Sequence, residues 1–262
     1  MPGSLTVVGS GIQPIAHTST QAVECIKNAD KVFFASSDAL TEYWIRSINP
    51  RCESLNGLYD PAIDRLTTYE RMVQRVLSAV ESGLSVCFVL YGHPAVFADP
   101  AHEAIRRARK AGYKAEMLPA ISADACLFAD LGVDPGATGC QSYEATDFLI
   151  NHRRIDPRAA LILWQIGIIG EQGFKNDRNA WNRAGVRVLV DVLLEHYPPE
   201  HIVTIYEASR YVCFEPVIRS VRLDELPDSP ISAICTLYVP PYGKAQVDKE
   251  MVERLLASST TL

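Results

Sequence analysis

The chain reads as an α/β protein in which parallel sheets are covered by helices. Runs rich in β-branched and aromatic residues recur from end to end, and stretches with apolar residues at helical spacing separate them. Start and stop signals agree with that periodicity.

Strands are expected at residues 5–8, 31–35, 85–91, 114–118, 160–166, 202–206 and 231–239, where Val, Ile, Phe and Tyr cluster. Helices are expected at 20–29, 65–81, 101–111 and 184–196, the last halted by Pro198 and Pro199. In the second of these, Leu66, Met72, Val73, Val76, Leu77 and Val80 mark one apolar face. A further strand at 217–223 is joined to 231–239 by L-P-D-S-P, which predicts an antiparallel pair and hence a mixed sheet in the second half.

A boundary is expected where P-A-I-S-A (119–123) follows a strand and Ser122 can cap a new helix. That gives an α/β unit at 1–119, a second at 120–244, and a short tail at 245–262 holding a helix that frays into S-S-T-T-L. A length of 262 residues accommodates two such units, each with a core.

Bulk composition excludes several classes. No apolar run approaches the roughly 20 residues that a membrane helix needs, so no membrane partner is expected. M-P-G-S-L-T-V-V-G lacks the basic and long apolar regions of a secretory leader, which predicts a cytoplasmic protein. Seven scattered cysteines, with no C-x-x-C pair and mostly apolar neighbours, fit reduced, buried thiols. Six histidines show no metal-binding spacing, and no metal is expected. A net charge of −6 would repel a polyanion, which argues against a nucleic-acid partner. The one basic cluster, Arg106, Arg107, Arg109 and Lys110, reads as a solvated helix face complementing the dipole.

Three groups of residues carry chemistry. V-V-G-S-G-I places Gly9 and Gly11 directly after the first strand, where bare backbone can approach a ligand or simply make a tight turn. The third glycine of a dinucleotide fingerprint is missing, and only Asp30 loosely matches its acidic ribose partner. L-Y-G-H-P-A-V-F runs a strand end into a stiff turn at a sheet's carboxyl edge, where α/β proteins bind ligands; His93 and Phe97 are pocket walls there, or a satisfied loop histidine and a core residue. W-Q-I-G (164–167) and I-Y-E-A (205–208) close strands in the second half. Finally Arg65 and Tyr69, four apart on one helix face, stand with Tyr59 and Tyr91 as phenols near a guanidinium. Such a cation stabilises a phenolate, which predicts a lowered phenol pKa and a usable base for a very weak acid. The plain reading is a surface Arg/Tyr pair.

Taken together, V-G-S-G-I, R-L-T-T-Y, Y-G-H-P-A-V-F, P-A-I-S-A-D-A-C-L-F-A-D-L, Y-E-A-T-D-F-L, L-W-Q-I-G and C-T-L-Y-V-P-P resemble the borosin peptide-backbone α-N-methyltransferases of the tetrapyrrole-methylase superfamily, in order over nearly the whole chain. The resemblance implies two α/β domains with S-adenosylmethionine in the cleft between them. It also implies a homodimer acting on a peptide, and a heterotetramer with two precursor chains. Carried over by motif, Tyr59, Arg65, Tyr69 and Tyr91 would be catalytic. Gly9, Gly11, Gly92, His93, Val96, Phe97, Ser122, Ala123, Gln165, Ala208 and Thr236 would hold the cofactor. Ala95 departs from the glycine usual in G-H-P-G-V-F, a change that allows a different local backbone and is not expected to abolish the pocket. Because the sequence stops about twenty residues after V-P-P, it resembles the split type, which methylates a separate small precursor. Competing expectations are a relative acting on a macrocycle or a modified histidine, an idle peptide-binding descendant, and a nicotinamide oxidoreductase.

Overall fold

A computed structural model of the protein describes residues 2–36, 38–60, 63–171 and 181–259. The chain gathers into two compact units. The first takes Met1–Val133 with the later segments Gly170–Trp181 and Tyr206–Arg219, and the second takes Asp134–Ile169, Asn182–Ile205 and Ser220–Leu262. The division thus falls after Val133, beyond the stretch near Pro119 where the local signals change, and the chain crosses it more than once.

The first unit alternates strand and helix: β1 (Ser4–Gly9), α1 (Thr20–Asn28), β2 (Lys31–Ala35), α2 (Ala39–Ile48), β3 (Cys52–Ser54), α3 (Arg65–Glu81), β4 (Ser85–Leu90), α4 (Asp99–Lys110), β5 (Lys114–Met117) and α5 (Ala123–Leu131). The five strands form one parallel sheet in the order β3-β2-β4-β1-β5. Alternation along each strand builds two cores. Leu5, Val7, Phe33, Val86 and Phe88 meet Met72, Val73, Val76 and Val80 of α3 and Ala101, Ala104, Ile105 and Ala108 of α4. On the other face Val8, Val32, Phe34, Cys87 and Val89 meet Ala22 and Ile26 of α1 and Ile45 of α2. Burial on both sides is why these strands read as nearly continuous apolar runs.

The remaining elements are α6 (Pro135–Thr138), β6 (Cys140–Glu144), α7 (Ala145–Ile150), β7 (Ala160–Trp164), α8 (Arg183–Leu193), β8 (Ile202–Glu207), β9 (Val217–Arg222), β10 (Thr236–Val239) and α9 (Lys249–Ser259). The second sheet runs β6-β7-β10-β8-β9 and is mixed, with β6–β7 parallel and β7–β10 antiparallel.

Several expectations need correction. The last two strands do not form a hairpin, because β8 lies between β9 and β10. L-D-E-L-P-D folds instead into a 3-10 helix, Leu223–Asp228, whose Leu223 and Leu226 are buried and which packs on α8. The strand expected at 231–239 shrinks to Thr236–Val239, since Cys235 turns back to bond the Ser232 carbonyl. Leu66, expected on the apolar face of α3, stands 74% exposed. All seven cysteines are free thiols, but only Cys87 and Cys235 are buried and Cys213 is exposed. In the basic cluster, Arg106 pairs with Glu103 and Arg107 with Glu70 and Glu103. Among the described residues no helix is long and apolar enough to cross a membrane.

Candidate functional site

Every helix of the parallel sheet follows a strand and therefore begins at the sheet's carboxyl edge. Most of the candidate residues are at that edge in the first unit. β1 and β4 are neighbours, paired up to Gly9 and Leu90, so their two following turns leave side by side. There the Gly11 N–H donates to the Gly92 carbonyl at 3.2 Å and the Gly92 N–H donates to the Gly11 carbonyl at 3.1 Å. Both glycines sit in the left-handed region, φ +68° and +71°. Gly9 has a separate reason to lack a side chain: a Cβ there would stand 2.1 Å from the Gly92 carbonyl oxygen.

After this bridge the chain makes a braced turn. The His93 Nδ1 accepts from the Ala95 N–H at 3.0 Å, the Val96 N–H donates to the His93 carbonyl at 3.0 Å, and His102 Nε2 lies 3.0 Å from the Ala95 carbonyl. Ala95 is not among the residues with positive φ, so an alanine fits there without strain. The turn presents apolar surface outward, with Val96 40% and Phe97 50% exposed and Phe97 held at φ +52°. Neither V-V-G-S-G-I nor Y-G-H-P-A-V-F contains a Lys or Arg. Bare amides and apolar surface without a cation suit a nucleoside carrying no phosphate better than a dinucleotide. Asp30 is also engaged elsewhere, its Oδ2 accepting from the Ser85 N–H at 2.9 Å and hydroxyl at 2.7 Å at the amino end of β4.

Tyr59, Arg65 and Tyr69 do come together. Asp64 caps α3 by accepting from the Thr67 N–H and hydroxyl, which sets Arg65 in the first turn. Tyr69 is one turn on, and both phenols pack on the core beneath α3. Their ionisation differs from the expectation. Burial pushes Tyr59 up to about 12, with Tyr69 adding to the rise and Arg65 only partly offsetting it. Tyr69 is also raised by burial, here with Arg65 as the main opposing influence and Asp99, at the start of α4, reinforcing the rise. Tyr91 is pushed up to about 12 by burial, which Arg210 counters. Desolvation therefore outweighs the guanidinium at each phenol, and all three rest protonated at neutral pH.

Ser122 occupies the cap position of α5, yet its hydroxyl donates to Asp124 instead of accepting from the helix. Ala123 begins the helix, and Ala208 lies just beyond β8 in a segment that belongs to the first unit. Gln165 and Thr236 are residues of the second unit. Gln165 directly follows β7 at φ +59°, an unusual backbone conformation for a non-glycine residue, and Thr236 is buried at the start of β10.

Two contributors escaped the sequence reading. Arg210 is the cation acting on Tyr91, and Asp130 Oδ2 accepts from the buried Tyr206 hydroxyl at 2.7 Å. The second pair is 76 residues apart in sequence, and no local pattern announces it. Asp130 also belongs to a cavity of about 430 Å³ that includes Gln13, His17, Cys126 and Ala208.

Comparison with known proteins places the chain. Residues 4–220 match the family described as Tetrapyrrole (Corrin/Porphyrin) Methylases. The chain is 41% identical over 261 residues to a methyltransferase/ribosomally synthesized type I borosin cyclic peptide precursor of Coprinopsis marcescibilis, covering 97% of this chain and 66% of the relative. It is 39% identical over 257 residues to the methyltransferase/ribosomally synthesized cyclic peptide omphalotin A precursor of Omphalotus olearius, covering 97% and 61%. The chain thus spans about two thirds or less of the curated relatives it matches. Among solved structures, uroporphyrin-III-C-methyltransferase from Thermus thermophilus shares the fold at a TM-score of 0.66 with 19% identity, over 92% of this chain and 93% of that one. Diphthine synthase does so at 0.60 with 16% identity, over 95% and 93%. With two α/β sheets and a matched family extending through most of its length, this chain belongs to the tetrapyrrole methylase family.

Proposed function

We propose that the protein is an S-adenosylmethionine-dependent methyltransferase that N-methylates backbone amides of a ribosomally made precursor peptide. The observation that carries this reading is the gathering of Tyr59, Arg65 and Tyr69 at the same sheet edge as the Gly11–Gly92 bridge. The relatives named as borosin precursors support the choice of a peptide acceptor.

A peptide nitrogen is a poor nucleophile because its lone pair is delocalised into the carbonyl. When bound, S-adenosylmethionine would supply the electrophilic methyl group. Gly9, Gly11, Gly92, His93, Val96, Phe97, Ser122, Ala123 and Ala208, with Gln165 and Thr236 of the second unit, are the residues proposed to hold it. The proposed proton acceptor for the amide N–H is the phenolate form of Tyr69, whose own proton has first gone to solvent, and Arg65 is the leading influence favouring that form. Arg65 offsets the negative charge that gathers on the carbonyl oxygen as the proton leaves. Tyr59, pushed up to about 12, stays protonated and would donate a hydrogen bond to the Tyr69 phenolate oxygen before that oxygen takes the amide proton. Tyr91 stands near the reacting amide and likewise remains a donor.

The relatives carry methyltransferase and precursor under one name, so action on a separate precursor is a distinct part of the proposal. So is assembly as a cytoplasmic homodimer that binds two precursor chains. Intact-mass spectrometry tests the acceptor. The purified chain is incubated with S-adenosylmethionine and a synthetic peptide copying the precursor segment of the C. marcescibilis relative. Methyl-sized increments on the peptide support a separate acceptor, and their absence with cofactor binding demonstrated contradicts it. Light scattering with and without the peptide reads the assembly.

A further inference from the structure

The cavity of about 430 Å³ in the first unit lies beside the candidate residues without being lined by most of them. Gly9, Gly92, His93, Val96 and Phe97 are not on its wall, and Ala208 is the one proposed cofactor residue that is. Its size falls in the range of small-ligand sites, about 300–1,000 Å³. Its chemistry is mixed in a specific way. Ala125 and Ala129, four apart on the exposed face of α5, leave room that larger side chains would close, and Val212 and Phe214 line the same space as exposed apolar residues, 77% and 66%. No Lys or Arg lines the space.

Two polar groups point to what such a space could read. The His17 Nδ1 accepts from the Gln13 N–H at 3.1 Å, so in the neutral ring the proton resides on Nε2, which is a donor. Burial holds the His17 pKa below its ordinary value, with Asp130 pulling the other way, which keeps that ring neutral near pH 7. Asp130 spends Oδ2 on the Tyr206 hydroxyl, and its Oδ1 has no hydrogen-bond partner among the described residues. His17 Nε2–H as donor and Asp130 Oδ1 as acceptor therefore line the same space, whose wall also carries Gln13, Ser209 and Glu215. Cys126, whose thiol burial pushes up to about 11, is neutral and adds no nucleophile. A peptide group has the complementary pair, a carbonyl that accepts and an N–H that donates. Burial first, then Asp130 and Cys126 of this wall, and Tyr91 of the candidate centre all raise the Tyr206 phenol.

We infer that this cavity is a subsite for the acceptor peptide, in which His17 Nε2–H and Asp130 Oδ1 clasp one peptide group while Ala125, Ala129, Val212 and Phe214 receive the neighbouring apolar side chain. The inference rests on the peptide methyltransferase reading above. It makes the subsite a determinant of which stretch of the precursor is seated, separate from the residues that move the proton.

Two variants test it, each with the synthetic precursor peptide of the C. marcescibilis relative. Ala129→Phe fills the space from an exposed helix position, so the fold tolerates it, and Asp130→Asn keeps an acceptor for Tyr206 while removing the charge. The expected result is a rise in peptide KM of roughly tenfold for Ala129→Phe and severalfold for Asp130→Asn, with the Kd for S-adenosylmethionine unchanged. An unchanged KM in both variants overturns the subsite, as does a weakened cofactor Kd, which would assign the cavity to the cofactor. If the wild-type chain binds S-adenosylmethionine but does not methylate the peptide, the function reading fails on its own, and fluorescence anisotropy of the labelled peptide decides the subsite. Weaker binding to Ala129→Phe than to wild type then supports it, and equal binding overturns it.

Discussion

Gly11 and Gly92 exchange a pair of backbone hydrogen bonds across the ends of two neighbouring parallel strands, β1 and β4. The exchange ties the two turns with the strongest ligand-binding character into one rigid surface, and it is possible only because both residues adopt positive φ. Gly9, two residues before Gly11 at the end of β1, lets the Gly92 carbonyl come close.

Gly9→Ala should therefore be costly although the residue added is small. Its Cβ would meet backbone, which cannot swing aside as a side chain can, and the expected loss is about 1–3 kcal/mol. Thermal denaturation reads that loss, and isothermal titration should show weaker binding of S-adenosylmethionine in the same variant. A melting temperature equal to wild type would contradict the close approach.

Tyr69→Phe removes the proposed proton acceptor and leaves the core packing of the ring in place. Turnover should fall by about 10²–10⁴-fold with the cofactor Kd unchanged. Arg65→Met should fall by about 10²-fold or more, with partial recovery in Arg65→Lys, which keeps a charge but not the guanidinium geometry. Turnover of Tyr69→Phe at the wild-type rate would remove Tyr69 from the mechanism.

The pH dependence has a definite sign. In the proposed mechanism the active form is the Tyr69 phenolate, and the phenol is raised above its ordinary value of 10.0. The phenolate fraction then climbs about tenfold per pH unit from neutrality until that value is approached, and single-turnover rates should climb with it. Asp99→Asn removes a charge that raises this phenol. Its profile should shift to lower pH and its rate at pH 8 should exceed wild type by roughly twofold or more. A profile that is flat between pH 7 and 9 would show that proton removal by the phenol does not limit the reaction.

Gln165, a proposed cofactor residue of the second unit, has a positive φ. A non-glycine residue held at φ +59° at a strand's end costs about 1–2 kcal/mol, which Gln165→Gly would relieve in part. That variant should melt at or above the wild-type temperature while binding S-adenosylmethionine more weakly. A variant that is both less stable and unchanged in affinity would contradict a binding role for this side chain.

How much of this was legible in the sequence depends on the range of the forces involved. Strands β1, β2 and β4 and helix α3 were readable because burial on two faces, or on one helical stripe, writes a local pattern. β3 has three residues and β6 is half-exposed, so neither leaves such a pattern. The expected hairpin of β9 and β10 failed because sheet order is a tertiary fact: β8 claims the place between them. In the candidate site, the spacing of Arg65 and Tyr69 gave their common helix face. It could not give the depth of the pocket, and depth reverses the direction of the phenol pKa. Asp130 and Tyr206 meet only through the fold.

The most direct test of the central claim is fragment-ion mass spectrometry of the synthetic precursor peptide after reaction with S-adenosylmethionine, run in parallel with wild type and Tyr69→Phe. The account predicts methyl-sized increments that map to backbone amide nitrogens in the wild-type reaction and nearly vanish in the variant. Increments that map to side chains, or that persist undiminished without the Tyr69 hydroxyl, would contradict it.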